Sequence, residues 1–182
     1  MTATLILGGA RSGKSAHAEL LAVQSGRAVV YIATAEARDG DMARRIDHHR
    51  TRRPAHWQTV EEPLLLADAI ARYSAPDTLI LVDCLTLWLS NLIFSDGRHY
   101  AEDGTTELPP LFHAQRAALL DVLARAPGDV ILVSNEVGMG IVPLGAVSRL
   151  FADEAGRLNQ AVAAACSRVL LVAAGLPLAL KG

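Results

Sequence analysis

Apolar, β-branched runs alternate along the chain with longer stretches whose apolar positions recur every three to four residues. Thr4–Gly8, Ala28–Ala33, Thr78–Asp83, Asp129–Ser134 and Arg168–Ala173 are apolar through their centres, as strands buried on both faces are. Helical spacing fills the intervals 15–25, 40–53, 63–74, 85–94, 110–125 and 146–166. Gly26 predicts the stop of the first helix, Pro54 ends the second, and Pro63 suits the first turn of the third. The polar stretch 95–109 reads as a mobile surface loop, and 137–145 (VGMGIVPLG) as a second loop. No internal repeat or low-complexity tract interrupts the pattern. Strands separated by helices predict a three-layer α/β fold around a parallel sheet, formed as one domain over 1–182.

Composition narrows the functional classes. At 182 residues, 51% hydrophobic and 20% charged, the chain has enough apolar side chains for a core and is not disordered. A net charge of −2 gives no global attraction to nucleic acid or to anionic membrane. Aromatics at 4% leave little for base stacking. The first residues carry no basic stretch ahead of a long apolar run, and no charge-free run reaches membrane-spanning length. A cytoplasmic protein with no membrane insertion is expected. Cys84 and Cys166 stand far apart beside apolar runs, which predicts buried, reduced thiols.

The strongest chemical signal is Gly8-Gly9-Ala10-Arg11-Ser12-Gly13-Lys14-Ser15, a full G-x-x-x-x-G-K-[ST] motif between a predicted strand and a predicted helix. Glycines let the backbone wrap so that successive N–H groups face phosphate oxygens, and the helix adds its positive end. Lys14 is placed to reach the β- and γ-phosphates, and the Ser15 hydroxyl to ligate Mg²⁺. The chain has only two lysines, Lys14 and Lys181, so the motif does not arise from lysine abundance. Asp83 closes TLILVD at the edge where open α/β sheets bind ligands. It reads either as the acid that holds Mg²⁺ or as the N-cap of the next helix. Asn135-Glu136 follows another strand and is a second candidate at the same edge.

The segment 40–57 concentrates arginine and histidine in RRIDHHRTRRPAHW. A solvated basic face, a metal site and an anion site with a histidine nucleophile all compete for it. Adjacent His48 and His49 project about 100° apart on a helix, which weakens the metal reading. Met42, Ile46 and His49 share an apolar face, whereas His48 lines up with Arg44 and Arg52. A neutral imidazole among guanidinium groups is suited to attack phosphorus.

GGARSGKS, YIAT, MARRIDHHRTRRPAHWQTVE, LVDCLTLWLSNL and SNEVGMGIVP occur in this order across nearly the whole chain. In them the sequence resembles the bifunctional adenosylcobinamide kinase / adenosylcobinamide-phosphate guanylyltransferase family. The resemblance implies a P-loop domain with a mostly parallel, RecA-like sheet, and a homo-oligomer, specifically a trimer. It implies phosphorylation of adenosylcobinamide by ATP or GTP. The resulting adenosylcobinamide phosphate then takes GMP from GTP through a GMP-histidine intermediate on His48. Guanine-nucleotide contacts carried over by motif fall on Gly8–Ser15, on Ala33, Thr34 and Ala35, on His49, Arg50, Thr51 and Arg52, and on Glu61 and Asp83. Two alternatives stand beside it: a monofunctional P-loop kinase whose basic segment is a lid, and a nucleotide-dependent protein that lays its basic helix on nucleic acid.

Overall fold

The structure, a computed structural model, describes residues 2–35, 53–98, 100 and 107–182. Its strands are β1 (Ala3–Gly8), β2 (Ala28–Ala33), β3 (Gln58–Glu61), β4 (Thr78–Asp83), β5 (Asp129–Asn135), β6 (Arg168–Ala173) and β7 (Leu176–Lys181). The helices among these residues are α1 (Lys14–Gln24), α2 (Leu66–Tyr73), α3 (Leu85–Ile93), α4 (Pro110–Arg125) and α5 (Ala146–Ala165). The helix expected over 40–53 lies, but for its last residue, outside the described residues.

One sheet runs β3-β2-β4-β5-β1-β6-β7. All neighbours are parallel except β7, which returns antiparallel to β6. Alternate strand residues face opposite sides, and both sides are covered. Leu5, Leu7, Val30, Ile32, Ile80 and Val82 pack on one side against Ile70 of α2, Trp88 and Leu89 of α3, Leu119 of α4 and Leu158 of α5. Ile6, Tyr31, Leu79, Leu81 and Val133 pack on the other against Ala18 and Ala22 of α1 and against Trp57. This is the expected three-layer α/β architecture, with α1 on one side of the sheet and α2–α5 on the other.

Two strands depart from the sequence expectation. β3 is four residues long and polar (QTVE), held at the sheet edge by its register with Val30–Ala33 of β2. β7 (LPLALK) is the other edge, where Pro177 is tolerated. It is joined to β6 by Ala174 and Gly175, whose φ values of 52° and 79° make a two-residue hairpin turn. The helix expected to start at Pro63 starts instead at Leu66, because the Glu62 carboxylate accepts the N–H groups of Leu64 (3.0 Å) and Leu65 (2.8 Å) just before it. In the stretch 95–109, Tyr100 and Leu108 pack against the core, with Tyr100 edge-on to Phe94. Among the described residues no helix is long and apolar enough to cross a membrane.

Candidate functional site

The parallel register brings the C-terminal ends of five strands to one edge. Ala33 pairs with Glu61 and with Asp83, and Gly8 pairs with Asn135. Five neighbouring strand ends therefore present Glu61, Ala33, Asp83, Asn135 and Gly8 in that order across the edge. The Glu136 N–H donates to the Gly8 carbonyl (3.1 Å), tying the exit of β5 to the start of the glycine-rich loop.

That loop has the backbone its sequence requires. Gly13, at φ 97°, caps the N-terminus of α1, and Arg11 also takes a left-handed φ of 56°. A Cβ on Gly8 would collide with the Ser12 hydroxyl and lie 2.5 Å from the Val172 carbonyl oxygen. A Cβ on Gly13 would lie 3.1 Å from Gly175 Cα, and the Gly175 N–H donates to the Ser12 carbonyl (2.8 Å). The turn of the β6–β7 hairpin thus props the loop from behind.

The loop holds polar groups short of partners. Lys14 is 8% exposed, and its Nζ donates to the Gly9 carbonyl of the same loop at 3.0 Å. Burial pushes its amine below the usual lysine range, against the opposing pull of Cys84 and Asp83. Among the described residues the buried Ser12 hydroxyl has no hydrogen-bond partner. An ammonium and a hydroxyl held in a glycine-lined turn at a helix N-terminus suit the oxygens of a polyphosphate.

Asp83 lies two strands from β1 in the sheet, roughly 10 Å across. Its Oδ2 accepts the Tyr31 hydroxyl at 3.0 Å. Tyr31 is two residues before Ala33, the register partner of Asp83, so it meets the carboxylate diagonally. The N-cap expected as an alternative role falls one residue later, on Cys84, with no side-chain cap. Thr34 is fully buried, and its hydroxyl both donates to the Cys84 carbonyl (2.7 Å) and accepts the Cys84 N–H (2.9 Å). Its own carbonyl accepts Asn91 Nδ2 at 2.8 Å. Thr34 therefore fixes the backbone beside Asp83 and is turned away from solvent, while Ala33 and Ala35 on either side are partly exposed.

Of the residues singled out in sequence, Gly8–Ser15, Ala33, Thr34, Ala35, Glu61 and Asp83 share this edge and the turns that leave it. His48, His49, Arg50, Thr51 and Arg52 lie outside the described residues. Sequence reasoning missed Tyr31 and gave Arg53 no individual role, yet the Arg53 guanidinium stacks 3.5 Å from the Tyr31 ring centroid. The one signal for Tyr31 in the sequence is that it is the only hydroxyl in the strand AVVYIA; its partner shows only once β2 and β4 are paired. Cys84 and Cys166 are free and buried, as expected.

A glycine-rich turn between β1 and α1, a buried lysine in it and a carboxylate one strand beyond its neighbour define a P-loop nucleotide-binding enzyme of the RecA-like kind. Solved structures of low identity share the fold. The RadB recombinase is 16% identical at a TM-score of 0.51, over 93% of this chain and 73% of that one. A type III secretion ATPase is 16% identical at a TM-score of 0.55, over 93% and 51%. Within this class, residues 4–180 match the family described as cobinamide kinase / cobinamide phosphate guanyltransferase, and the chain belongs to that family. It is 55% identical to the bifunctional adenosylcobalamin biosynthesis protein CobP of Pseudomonas aeruginosa, over 98% of this chain and 96% of the relative. It is 43% identical to the bifunctional adenosylcobalamin biosynthesis protein CobU of Escherichia coli, over 97% and 98%.

Proposed function

We propose that this chain phosphorylates adenosylcobinamide with ATP or GTP and then guanylylates the product through His48. Family membership makes it a kinase and a guanylyltransferase of cobalamin biosynthesis, and the plain-kinase alternative is not favoured. The observation that carries the finer reading is the P-loop with its under-partnered Lys14 and Ser12, on the same sheet edge as Asp83 and Glu61.

In the first reaction the backbone N–H groups of Gly8–Ser15 and Lys14 hold the β- and γ-phosphates. The acceptor hydroxyl attacks the γ-phosphorus, its proton leaves, and the nucleoside diphosphate departs. In the second, a neutral His48 nitrogen attacks the α-phosphorus of GTP and pyrophosphate leaves. A phosphate oxygen of the acceptor then displaces the imidazole, giving adenosylcobinamide-GDP. Arg50 and Arg52 stabilise charge on the phosphoryl oxygens. Thr51 and His49 complete that side of the nucleotide. Mg²⁺ fits hard oxygen donors, and the Ser15 hydroxyl and the Asp83 carboxylate would hold it beside the phosphates. Bound there, it would supply positive charge to neutralise the phosphate oxygens. The enzyme works in the cytoplasm, where its two buried thiols stay reduced. It works as a homotrimer without nucleic acid. The exposed Leu176 (73%), Leu178 (60%) and Leu180 (55%) on edge strand β7 are consistent with contact between subunits.

The test is covalent labelling with Mg²⁺ and GTP carrying label at either the α- or the γ-phosphorus. Acid-labile, base-stable label is expected on the protein from the α position only, lost in His48→Ala and kept in His49→Ala. Good GTP binding with no bound label would overturn the histidine step. Light scattering should give three times the 19.3 kDa chain mass.

A further inference from the structure

Three groups from three parts of the chain form a stack on the α1 side of the sheet. The Tyr31 hydroxyl of β2 donates to Asp83 Oδ2 of β4 at 3.0 Å. The Arg53 guanidinium lies over the Tyr31 ring, 3.5 Å from its centroid, and its Nε is buried with no hydrogen-bond partner among the described residues. Tyr31 itself is 2% exposed, wedged among Trp57, Leu79, Leu81 and Cys84. Arg53 immediately precedes the turn in which the Trp57 N–H donates to the Pro54 carbonyl at 3.0 Å. Arg53 is thus held against the sheet through one ring.

A buried tyrosine hydroxyl could have met its need for a partner at a backbone carbonyl. Here it is spent on a carboxylate at the ligand-binding edge, and it commits one of two equivalent oxygens. The bond goes to Oδ2 and not to Oδ1, so Tyr31 breaks the symmetry between them. A hydrogen bond to an ionised acceptor is stronger than one between neutral groups. A guanidinium over the ring draws electron density from the phenol and makes its hydroxyl a better donor.

We propose that Tyr31 is a positioning residue that orients Asp83 toward the nucleotide-bound divalent cation, and that Arg53 is linked to this orientation through the Tyr31 ring. The inference rests on the reading of Asp83 as a metal-holding acid given above. Burial of Tyr31 is then functional as well as structural: the ring transmits, and the hydroxyl aims.

The test is the affinity of Mn²⁺ for the enzyme–GDP complex, measured by electron paramagnetic resonance on the full chain, alongside metal-free GDP affinity. Tyr31→Phe keeps the ring and the stack and removes the hydroxyl. It is expected to weaken Mn²⁺ about tenfold, the loss of one charge-assisted hydrogen bond, with metal-free GDP affinity unchanged. Arg53→Gln should weaken Mn²⁺ by less, and should add nothing in the Tyr31→Phe background. Wild-type Mn²⁺ affinity in Tyr31→Phe, with Asp83→Asn impaired, would leave Tyr31 a core residue and overturn the inference alone. Wild-type affinity in Asp83→Asn would overturn the metal reading and the inference together. Additive losses in the double variant would remove Arg53 from the link. Arg53→Gln leaves Tyr31 in place, so it tests the link even where the phenylalanine variant does not fold.

Discussion

Thr34 shows how a residue can stand at a site without facing the ligand. Its hydroxyl makes two hydrogen bonds to the backbone of Cys84 in full burial. Thr34→Val keeps the shape and strands the N–H of Cys84, whose carbonyl still accepts the Trp88 N–H (3.2 Å). Unfolding in urea should show a loss of about 2–3 kcal/mol, larger than a surface change gives. Glu61 is the opposite case: it is exposed at the end of β3, four strand spacings from β1, about 19 Å. A carboxylate there can accept both the N1–H and the exocyclic amino group of guanine, a pair of donors that adenine lacks. Glu61→Gln should therefore weaken GTP about tenfold in the labelling step while ATP-driven phosphorylation changes little. Steady-state rates with each nucleotide decide it. At this scale the sequence disclosed that Gly8, Ala33, Glu61 and Asp83 come to one sheet edge. It did not disclose which way each one faces, because a hydroxyl two residues from a carboxylate's partner is invisible until the strands are paired.

At the scale of elements, the P-loop depends on a hairpin that its motif does not mention. Ala174 and Gly175 lie in a run that reads, in sequence, as apolar residues broken by glycine and proline. Those breaks are the turn and the edge proline of a strand pair. β3 was hidden for a related reason: four polar residues have too little alternation to announce a strand, and only pairing with β2 makes them one. The long buried strands were legible because burial on both faces demands apolar residues throughout. The hairpin's role can be separated from ordinary strain. Gly175 (φ 79°) and Gly26 (φ 64°) both occupy the left-handed region. Alanine at either should cost about 1–2 kcal/mol in stability. A Cβ at either would meet open space, but the Gly175 backbone donates to the Ser12 carbonyl of the loop, whereas the Gly26 N–H donates to Val23 at the far end of α1. Gly175→Ala should therefore weaken GTP binding, and Gly26→Ala should leave it alone, in a fluorescent-nucleotide titration with thermal melts run in parallel.

Across the whole molecule, the sheet divides the interior into two cores, and each contains one thiol. Cys166 is packed with the cluster on the α2–α5 side, and Cys84 with the cluster on the α1 side. Burial pushes both thiols up from 9.0 to about 11. In the unfolded chain the same thiols ionise near the ordinary value. Below pH 9 both states hold the protons and stability is insensitive to these groups. Between pH 9 and 11 the unfolded state releases them first, so it binds fewer protons than the native state and stability falls as pH rises. A shift of this size corresponds to about 3 kcal/mol for each thiol. Urea midpoints should drop across this window, and the Cys84→Ala/Cys166→Ala double variant should show a shallower fall. Cys84 bears on the Lys14 amine, so the Cys166→Ala single variant, which leaves that pair intact, is the measure of one thiol alone. Equal slopes would mean that the thiols already ionise in the native state and that neither core excludes water. A shallower slope in the variant would place the closure of both sides of the sheet on the same footing. A P-loop backed by α1 and Cys84 on one side of the sheet would then rest on a second core sealed around Cys166.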